Sequence, residues 1–183
     1  MALRGPRDGT GRRSPRALLL GPPRVRELVA LALVAAVAAG CGDATEPNAR
    51  DARHARVERV TDGDTLRLHS LGPVRLIGID TPEVFGEAEC FGREASVFAS
   101  RLLKPGDRVR YRVGVEERDR YGRLLAYVWL EDGRMLNRLM VERGYAEPLT
   151  IPPNVDFAET FRRAARAARQ AGIGLWRACR AGG

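Results

Sequence analysis

The apolar and polar residues of this chain first follow a pattern of short alternating runs. Residues 55–60 and 65–69 alternate between apolar and polar positions, and residues 74–79 form a third, mostly apolar run. Alternation with a period of two is typical of half-buried strands, and Asp62-Gly63 and Gly72-Pro73 are strong turn signals between the runs. The pattern therefore predicts a three-stranded meander over residues 55–79.

After this meander the spacing alternates between helical and extended patterns. Apolar residues at helical spacing predict helices, and alternation predicts strands. The predicted elements are a helix over 92–103, strands over 108–115 and 124–130, and helices over 135–143 and 156–171. Asp156 and Glu159 form a capping-box pattern at the start of the last helix. Five strands with a helix between the third and fourth predict the α+β class, as a five-stranded OB-fold β-barrel with three helices.

A continuous apolar segment over residues 28–40 precedes the alternating region and follows Arg24 and Arg26. It is shorter than the roughly 20 residues of a transmembrane helix. A positive flank, a short apolar core and small residues at its end are typical of a secretory signal peptide. The alternative is a buried core helix, which the absence of any polar face disfavours.

The segment ends in Ala38-Ala39-Gly40-Cys41, which resembles a bacterial lipoprotein box. Ala38 stands where that box usually has leucine, and the alternative is ordinary cleavage that leaves a free thiol. We expect residues 1–41 to be a signal region with lipid attached to Cys41, residues 42–54 to be a flexible tether, and residues 55–178 to be the folded domain. The protein is then exported, to the extracellular space or the cell envelope, with a possible lipid anchor in the membrane.

The formal net charge of +8 is unevenly distributed, because residues 1–41 hold seven arginines and two acids and so account for +5. The remaining +3 gives weak support for binding to nucleic acid. Cys90 and Cys179 are the other two cysteines, and in an exported protein they most simply form a disulfide. Two buried free thiols are the alternative, and a metal site is disfavoured because the chain has no CxxC and only two histidines.

Candidate chemistry is concentrated in three short segments. Arg75 to Glu83 places an arginine, Asp80 and Glu83 at the end of an apolar run, Asp62-Gly63-Asp64-Thr65 lies upstream, and Asp119-Arg120-Tyr121-Gly122-Arg123 lies downstream. Asp64 and Asp80 supply hard oxygens suited to calcium, with the carbonyl of Thr81 a further ligand. Arginines offer planar, bidentate donors to phosphate oxygens. Each segment alone is also compatible with an ordinary turn or an outward-facing strand residue.

Together the three segments resemble the active site of the staphylococcal nuclease (thermonuclease) family, and the similarity spans about residues 57–176. The resemblance implies an OB-fold enzyme, a calcium-dependent hydrolase that cleaves DNA and RNA to 3′-phosphate ends. The residue roles that it implies are Ca²⁺ ligation by Asp64, Asp80 and Thr81, catalysis by Arg75, Glu83 and Arg123, and substrate binding by Tyr121.

Two departures from the family pattern stand out. The loop over residues 84–91 is shorter, less basic and contains Cys90, and residues 148–151 lack the aromatic side chains that the family uses beside the base. For Tyr121, packing against the barrel is the alternative to substrate contact. A non-catalytic OB-fold module that binds nucleic acid or protein is the alternative function, and we expect a monomer in either case.

Overall fold

The computed structural model describes residues 52–179, and within this range the chain forms seven strands and four helices. The strands are β1 (Arg53–Val60), β2 (Thr65–Leu68), β3 (Gly72–Leu76), β4 (Ile79–Asp80), β5 (Arg108–Arg118), β6 (Leu124–Trp129) and β7 (Glu147–Pro148). The helices are α1 (Gly92–Leu102), α2 (Leu136–Glu142), α3 (Ala158–Ala171) and α4 (Leu175–Ala178).

Five of the strands close into a barrel in the order β1-β2-β3-β6-β5, which confirms the predicted OB-fold class. Neighbouring strands are antiparallel except for β3 and β6, which pair in parallel. The inward side chains of β1, β2, β3 and β6 and the buried faces of the helices form one core, with Tyr127 and Phe161 among its largest fully buried members. Burial of this apolar surface is the main driving force for the barrel.

The prediction for the third strand was wrong at its end, because β3 stops at Leu76 instead of Ile79. Gly78 adopts a φ of 80°, and the ring of Phe161 lies 2.6 Å from where a Cβ at this position would stand. A residue with a side chain would be strained in that backbone conformation and would collide with the ring. The chain therefore turns at Gly78, and β4 leaves the barrel to pair with β7.

The predicted capping box of the last helix is also absent. Helix α3 begins at Ala158 after Phe157, and no side chain caps its first turn. Asp156 instead forms an ion pair with Arg112 of β5, at 2.8 Å between Nη2 and Oδ2. The Asp156 carboxylate, which the local spacing assigns to the helix cap, therefore pairs with an arginine of a barrel strand.

A disulfide joins Cys90, just before α1, to Cys179, just after α4. The predicted signal region, the lipid attachment at Cys41 and most of the predicted tether lie outside the described residues. Because β1 begins at Arg53, the last two residues assigned to the tether belong to the barrel. Among the helices of residues 52–179, none is long and apolar enough to cross a membrane.

Candidate active site

Asp64 is held in a buried position at the start of β2. Its Oδ2 atom accepts hydrogen bonds from the backbone nitrogen and the hydroxyl of Thr81, both at 2.9 Å, and its Oδ1 atom accepts from the hydroxyl of Thr65 at 3.1 Å. Gly63 permits this approach, because a Cβ there would lie 2.8 Å from Cγ2 of Thr81. The Asp-Gly-Asp turn and the segment after β4 therefore fix one carboxylate between them.

Arg75 lies between Asp64 and Asp80. Nη1 is 2.9 Å from Oδ2 of Asp64, and Nη2 is 2.6 Å from Oδ1 of Asp80. Nη1 also donates to the carbonyl of Ile79 at 3.0 Å. The arginine side chain is only 14% exposed, whereas that of Asp80 is 57% exposed. One guanidinium thus pairs with two carboxylates, one just before β2 and one in β4, and the carboxylate of Asp80 faces solvent.

Negative charge remains in excess around this arginine. Burial, reinforced by the neighbouring Asp64, raises the pKa of Asp62 to about 6. Burial also raises the pKa of Asp80, and the charge of Asp64 adds to this shift while Arg75 opposes it. Raised carboxyl pKa values mean that the ionised forms are destabilised, and a further cation would relieve that cost.

The donor set is compatible with a hard cation. Within residues 52–179 no group of three or more Asp, Glu, His or Cys side chains is arranged to hold a metal ion. Calcium, however, accepts backbone carbonyls and water alongside carboxylates. Asp64 and Asp80 contact the same guanidinium and so converge on one region, and Thr81 follows directly with its carbonyl. The residues present therefore fit a calcium ion that completes its coordination with water.

Arg123 is oriented by a turn that connects β5 to β6. Asp119 accepts hydrogen bonds from the backbone nitrogens of Tyr121 and Arg123 at 3.0 Å and from Nε of Arg123 at 2.7 Å. Although burial raises the pKa of Asp119, the hydrogen bonds from Arg123 outweigh it and hold this pKa below its usual value. The Tyr121 ring lies 5.4 Å from the guanidinium carbon of Arg123. Within the described residues the terminal nitrogens of Arg123 donate no hydrogen bond, so they are available to a ligand.

The two arginines line the same cavity of about 470 Å³. Parallel pairing of β3 with β6 sets Arg75 opposite Leu125, two residues beyond Arg123. Exposed Leu149, Ile151 and Tyr121 give the cavity an apolar wall. Arg120 is the third arginine in the lining. A cavity lined by guanidinium groups and by apolar side chains suits an anion attached to a flat or apolar group.

Glu83 lies on the exposed loop that leads to α1 and is not among the residues that line the cavity. Its backbone nitrogen donates to the carboxylate of Glu89 at 3.0 Å, and its carbonyl accepts from the Glu89 nitrogen at 2.9 Å. No hydrogen bond or ion pair joins its carboxylate to another described residue. The structure therefore groups Asp64, Arg75, Asp80 and Thr81, sets Arg123 and Tyr121 across the cavity, and leaves the Glu83 side chain free in solvent.

Two residues of the site receive no role from the sequence pattern. Asp119 orients Arg123, and its place four residues before that arginine in a tight turn is the available signal. Asn154 bonds both backbone groups of Glu116 at 3.0 Å and approaches Gly114, where a Cβ would lie 2.5 Å from Oδ1. Asn154 and Glu116 are far apart in sequence, so no local pattern indicates the contact between them.

Comparisons with known proteins identify a matching family and several similar proteins. The sequence profile of the family described as Staphylococcal nuclease homologue matches residues 73–178. Endonuclease YhcR of Bacillus subtilis (strain 168) is 35% identical over 144 residues, which are 71% of this chain and 12% of that protein. The thermonucleases of Staphylococcus intermedius and Staphylococcus hyicus are 37% and 36% identical, each over 66% of this chain and 74% of the relative. The chain thus corresponds to a small part of the first protein and to about three quarters of each thermonuclease.

Proposed function

Because the chain belongs to the staphylococcal nuclease homologue family, we propose that it is a calcium-dependent nuclease that hydrolyses phosphodiester bonds in DNA and RNA. The observation that carries this proposal is the cavity shared by Arg75 and Arg123, which opens beside the acidic pair Asp64 and Asp80. A binding module needs positive charge for a phosphate backbone, but it has no use for partly buried carboxylates next to that charge.

The arginines bind the phosphate that is to be cleaved. Arg123 presents its terminal nitrogens while Asp119 holds its Nε, so its orientation is fixed before the substrate arrives. Arg75 is already bonded to Asp64 and Asp80, and its contribution requires that some of these contacts weaken when phosphate binds. Fixed guanidinium donors stabilise the extra negative charge on the phosphoryl oxygens in the transition state.

Glu83 is the general base in this proposal. Its carboxylate takes a proton from a water molecule, and the water oxygen forms a bond to phosphorus. The bond between phosphorus and the 5′ oxygen breaks, and that oxygen takes up a proton from solvent. Glu83 then releases its proton to solvent, and the products are a 3′-phosphate end and a 5′-hydroxyl end. The exposed loop position of Glu83 leaves its carboxylate free to reach a substrate-bound water.

Asp64 and Asp80, with the carbonyl of Thr81, would hold the calcium ion. When bound, the ion supplies positive charge that polarises the phosphate and attracts the attacking water. Thr81 has a second task, because its amide and hydroxyl fix the Asp64 carboxylate. Tyr121 packs on Arg123 and lines the cavity, so we assign it to substrate binding.

We place this activity outside the cytoplasm, in a monomer that is secreted or lipid-anchored through Cys41. The apolar segment 28–40 and the cysteine that follows it support this assignment. Globomycin, which blocks lipoprotein signal processing, tests it directly: accumulation of an unprocessed precursor supports the anchor, and normal maturation contradicts it.

The decisive test of the activity is cleavage of single-stranded DNA and of RNA with Ca²⁺ and with chelator. We expect cleavage only with Ca²⁺, and product 3′ ends that cannot be joined to a 5′-phosphorylated adapter until a phosphatase has removed the 3′-phosphate. Glu83→Gln serves as the matched inactive variant, because it keeps the shape of the side chain. Absence of cleavage under every divalent ion would favour the non-catalytic binding module.

A further inference from the structure

The barrel carries a second cluster of positive charge on its outer face. Antiparallel pairing of β1 with β5 sets His54 opposite Arg110 and Arg56 opposite Arg108. Residues directly opposite in an antiparallel pair project from the same face of a sheet. The four side chains therefore share one surface, the β1–β5 basic patch, on which Arg110 is half-buried and the other three are exposed.

Three other arginines of the barrel strands have carboxylate partners, whereas exposed Arg53 and Arg118 form no ion pair within residues 52–179. Arg59 and Arg67 share Glu58, at 3.2 and 3.1 Å, and Arg112 pairs with Asp156.

In the patch, by contrast, neither Arg108 nor Arg110 forms an ion pair with any carboxylate of residues 52–179. Arg56 donates to the backbone carbonyl of Gly106 at 2.8 Å, which leaves its charge uncompensated. Like charges directly opposite each other destabilise a sheet. Packing of the barrel therefore gives no reason for this arrangement, whereas binding of an anion does.

The shape of the patch suits backbone phosphates. His54, Arg108 and Arg110 line an open cavity of about 200 Å³, with Glu131 as its one acidic lining residue. Guanidinium groups bind phosphate oxygens through two parallel hydrogen bonds. Several such groups on one strand pair match a repeating polyanion better than they match a single small anion.

We propose that the β1–β5 basic patch is an accessory site that binds backbone phosphates of a long nucleic acid away from the bond being cleaved. This inference rests on the proposed nuclease function and extends it to the choice of substrate. Strand β5 runs from the patch to Arg118, next to the turn that carries Arg123. The eight residue steps from Arg110 to Arg118 span at most about 26 Å, which is the length of about eight nucleotides of one duplex strand at ~3.4 Å each. Long chains therefore reach both sites, and dinucleotides do not.

The test compares Arg108→Gln/Arg110→Gln with a control that loses the same charge, Arg163→Gln/Arg177→Gln. Both control arginines are exposed, and neither forms an ion pair within residues 52–179. Binding of a long single-stranded DNA oligonucleotide is measured by fluorescence anisotropy in chelator over a range of salt concentrations. Cleavage of the same oligonucleotide and of a dinucleotide is measured with Ca²⁺.

For the patch variant we expect a Kd about tenfold higher than that of wild type and a salt slope lower by about 1.4, from two lost phosphate contacts at ~0.7 each. KM for the long substrate should rise, while kcat/KM for the dinucleotide stays unchanged. An equal effect in the control variant, or an unchanged salt slope, overturns the proposal. Binding to anionic phospholipid vesicles is measured as well. If the patch variant loses this binding but binds DNA as wild type does, the proposal is overturned and the patch is assigned to a membrane surface. If the wild-type protein cleaves neither substrate, the proposed nuclease function fails. The binding data then still decide whether the patch binds nucleic acid.

Discussion

At Arg123, one carboxylate and one aromatic ring fix a guanidinium before any substrate is present. Its terminal nitrogens face a cavity, and in the described residues they have no other partner. We predict that Arg123→Ala lowers kcat by about 10²–10³, the typical cost of losing one donor that acts in the transition state. Steady-state kinetics on single-stranded DNA measures this loss, and urea unfolding checks that the variant is folded.

Arg134 provides a matched control for this substitution. It also pairs with an aspartate of a tight turn, Asp132, but on a different hairpin. Arg134→Ala should leave kcat within about twofold of wild type, because exposed pairs of this kind contribute little. A similar loss of rate in both variants would remove Arg123 from the catalytic set.

Asp119 is a positioning residue, and its effect should differ from that of Arg123. We predict that Asp119→Asn lowers kcat by about tenfold, since the backbone bonds of the turn are retained while the charged contact to Nε is lost. Because the folded pKa of Asp119 is lowered, its stabilising effect is complete above the unfolded pKa of ~3.9 and is lost as pH falls through the folded value. Unfolding free energies of wild type and variant should therefore differ at neutral pH and converge in strong acid. A constant difference at all pH values would contradict the ion pair.

Substitution of Asp80 tests calcium binding better than substitution of Asp64, because it removes fewer other contacts. Asp64→Ala also removes the partner of Thr81 and one partner of the half-buried Arg75, whereas the Asp80 side chain is 57% exposed. We predict that Asp80→Ala weakens Ca²⁺ binding at least tenfold, because a site with two carboxylates loses one of its anionic ligands. Titration calorimetry measures the affinity, and Asp132→Ala is the control. Unchanged affinity in both Asp64→Ala and Asp80→Ala would move the metal site elsewhere.

At this scale the sequence identifies residue types better than their contacts. The spacing of Asp64, Arg75 and Asp80 is visible in the chain, and the structure brings these three together. That one guanidinium is shared by both carboxylates cannot be read from spacing, because it depends on the β2–β3 register that sets Thr65 opposite Arg75. The role of Asp119 depends in the same way on turn geometry.

At the scale of elements, Asn154 connects the segment before α3 to the far end of β5. Its amide bonds the backbone nitrogen and carbonyl of Glu116, just before the turn that carries Arg123. We predict that Asn154→Ala destabilises the fold by about 1–3 kcal/mol, because two backbone groups lose their partner. It should also lower kcat/KM for DNA at temperatures where the variant is fully folded.

Val141→Ala is the matched control, since it truncates a fully buried side chain on α2. It should lower the free energy of unfolding but leave kcat/KM for DNA unchanged, because α2 contributes no residue to the lining of the catalytic cavity or of the β1–β5 basic patch. If both substitutions lower activity in proportion to stability, Asn154 supports the fold without positioning the site.

Alternation predicts β1 and β5, which expose most of their polar residues. A continuous apolar run instead predicts β6, which is buried at five of its six positions. The departures occur where a distant residue overrides the local pattern. Apolar spacing continues through Ile79, yet the φ of Gly78 and the ring of Phe161 end β3 early and create β4. The partner strand β7 has only two residues, too few for any period to appear in the sequence.

At the scale of the whole molecule, the Cys90–Cys179 disulfide ties the loop that carries Glu83 to the end of the described chain. Closing a loop of this length, 89 residues in sequence separation, stabilises a fold by about 4–5 kcal/mol in the chain-entropy model. Cys90 of this bridge directly follows Glu89, and Glu89 exchanges two hydrogen bonds with Glu83.

We therefore predict that Cys90→Ser/Cys179→Ser lowers the free energy of unfolding by about 4–5 kcal/mol and also lowers kcat. Ca²⁺ affinity should be retained, because Asp64 and Asp80 lie on other elements. A thiol reductant should reproduce both losses in the wild type and change nothing in the double variant. The Glu83 carbonyl also packs against Gly92, where a side chain would collide with it. A drop in the free energy of unfolding without any change in kcat would show that this packing suffices to place the base.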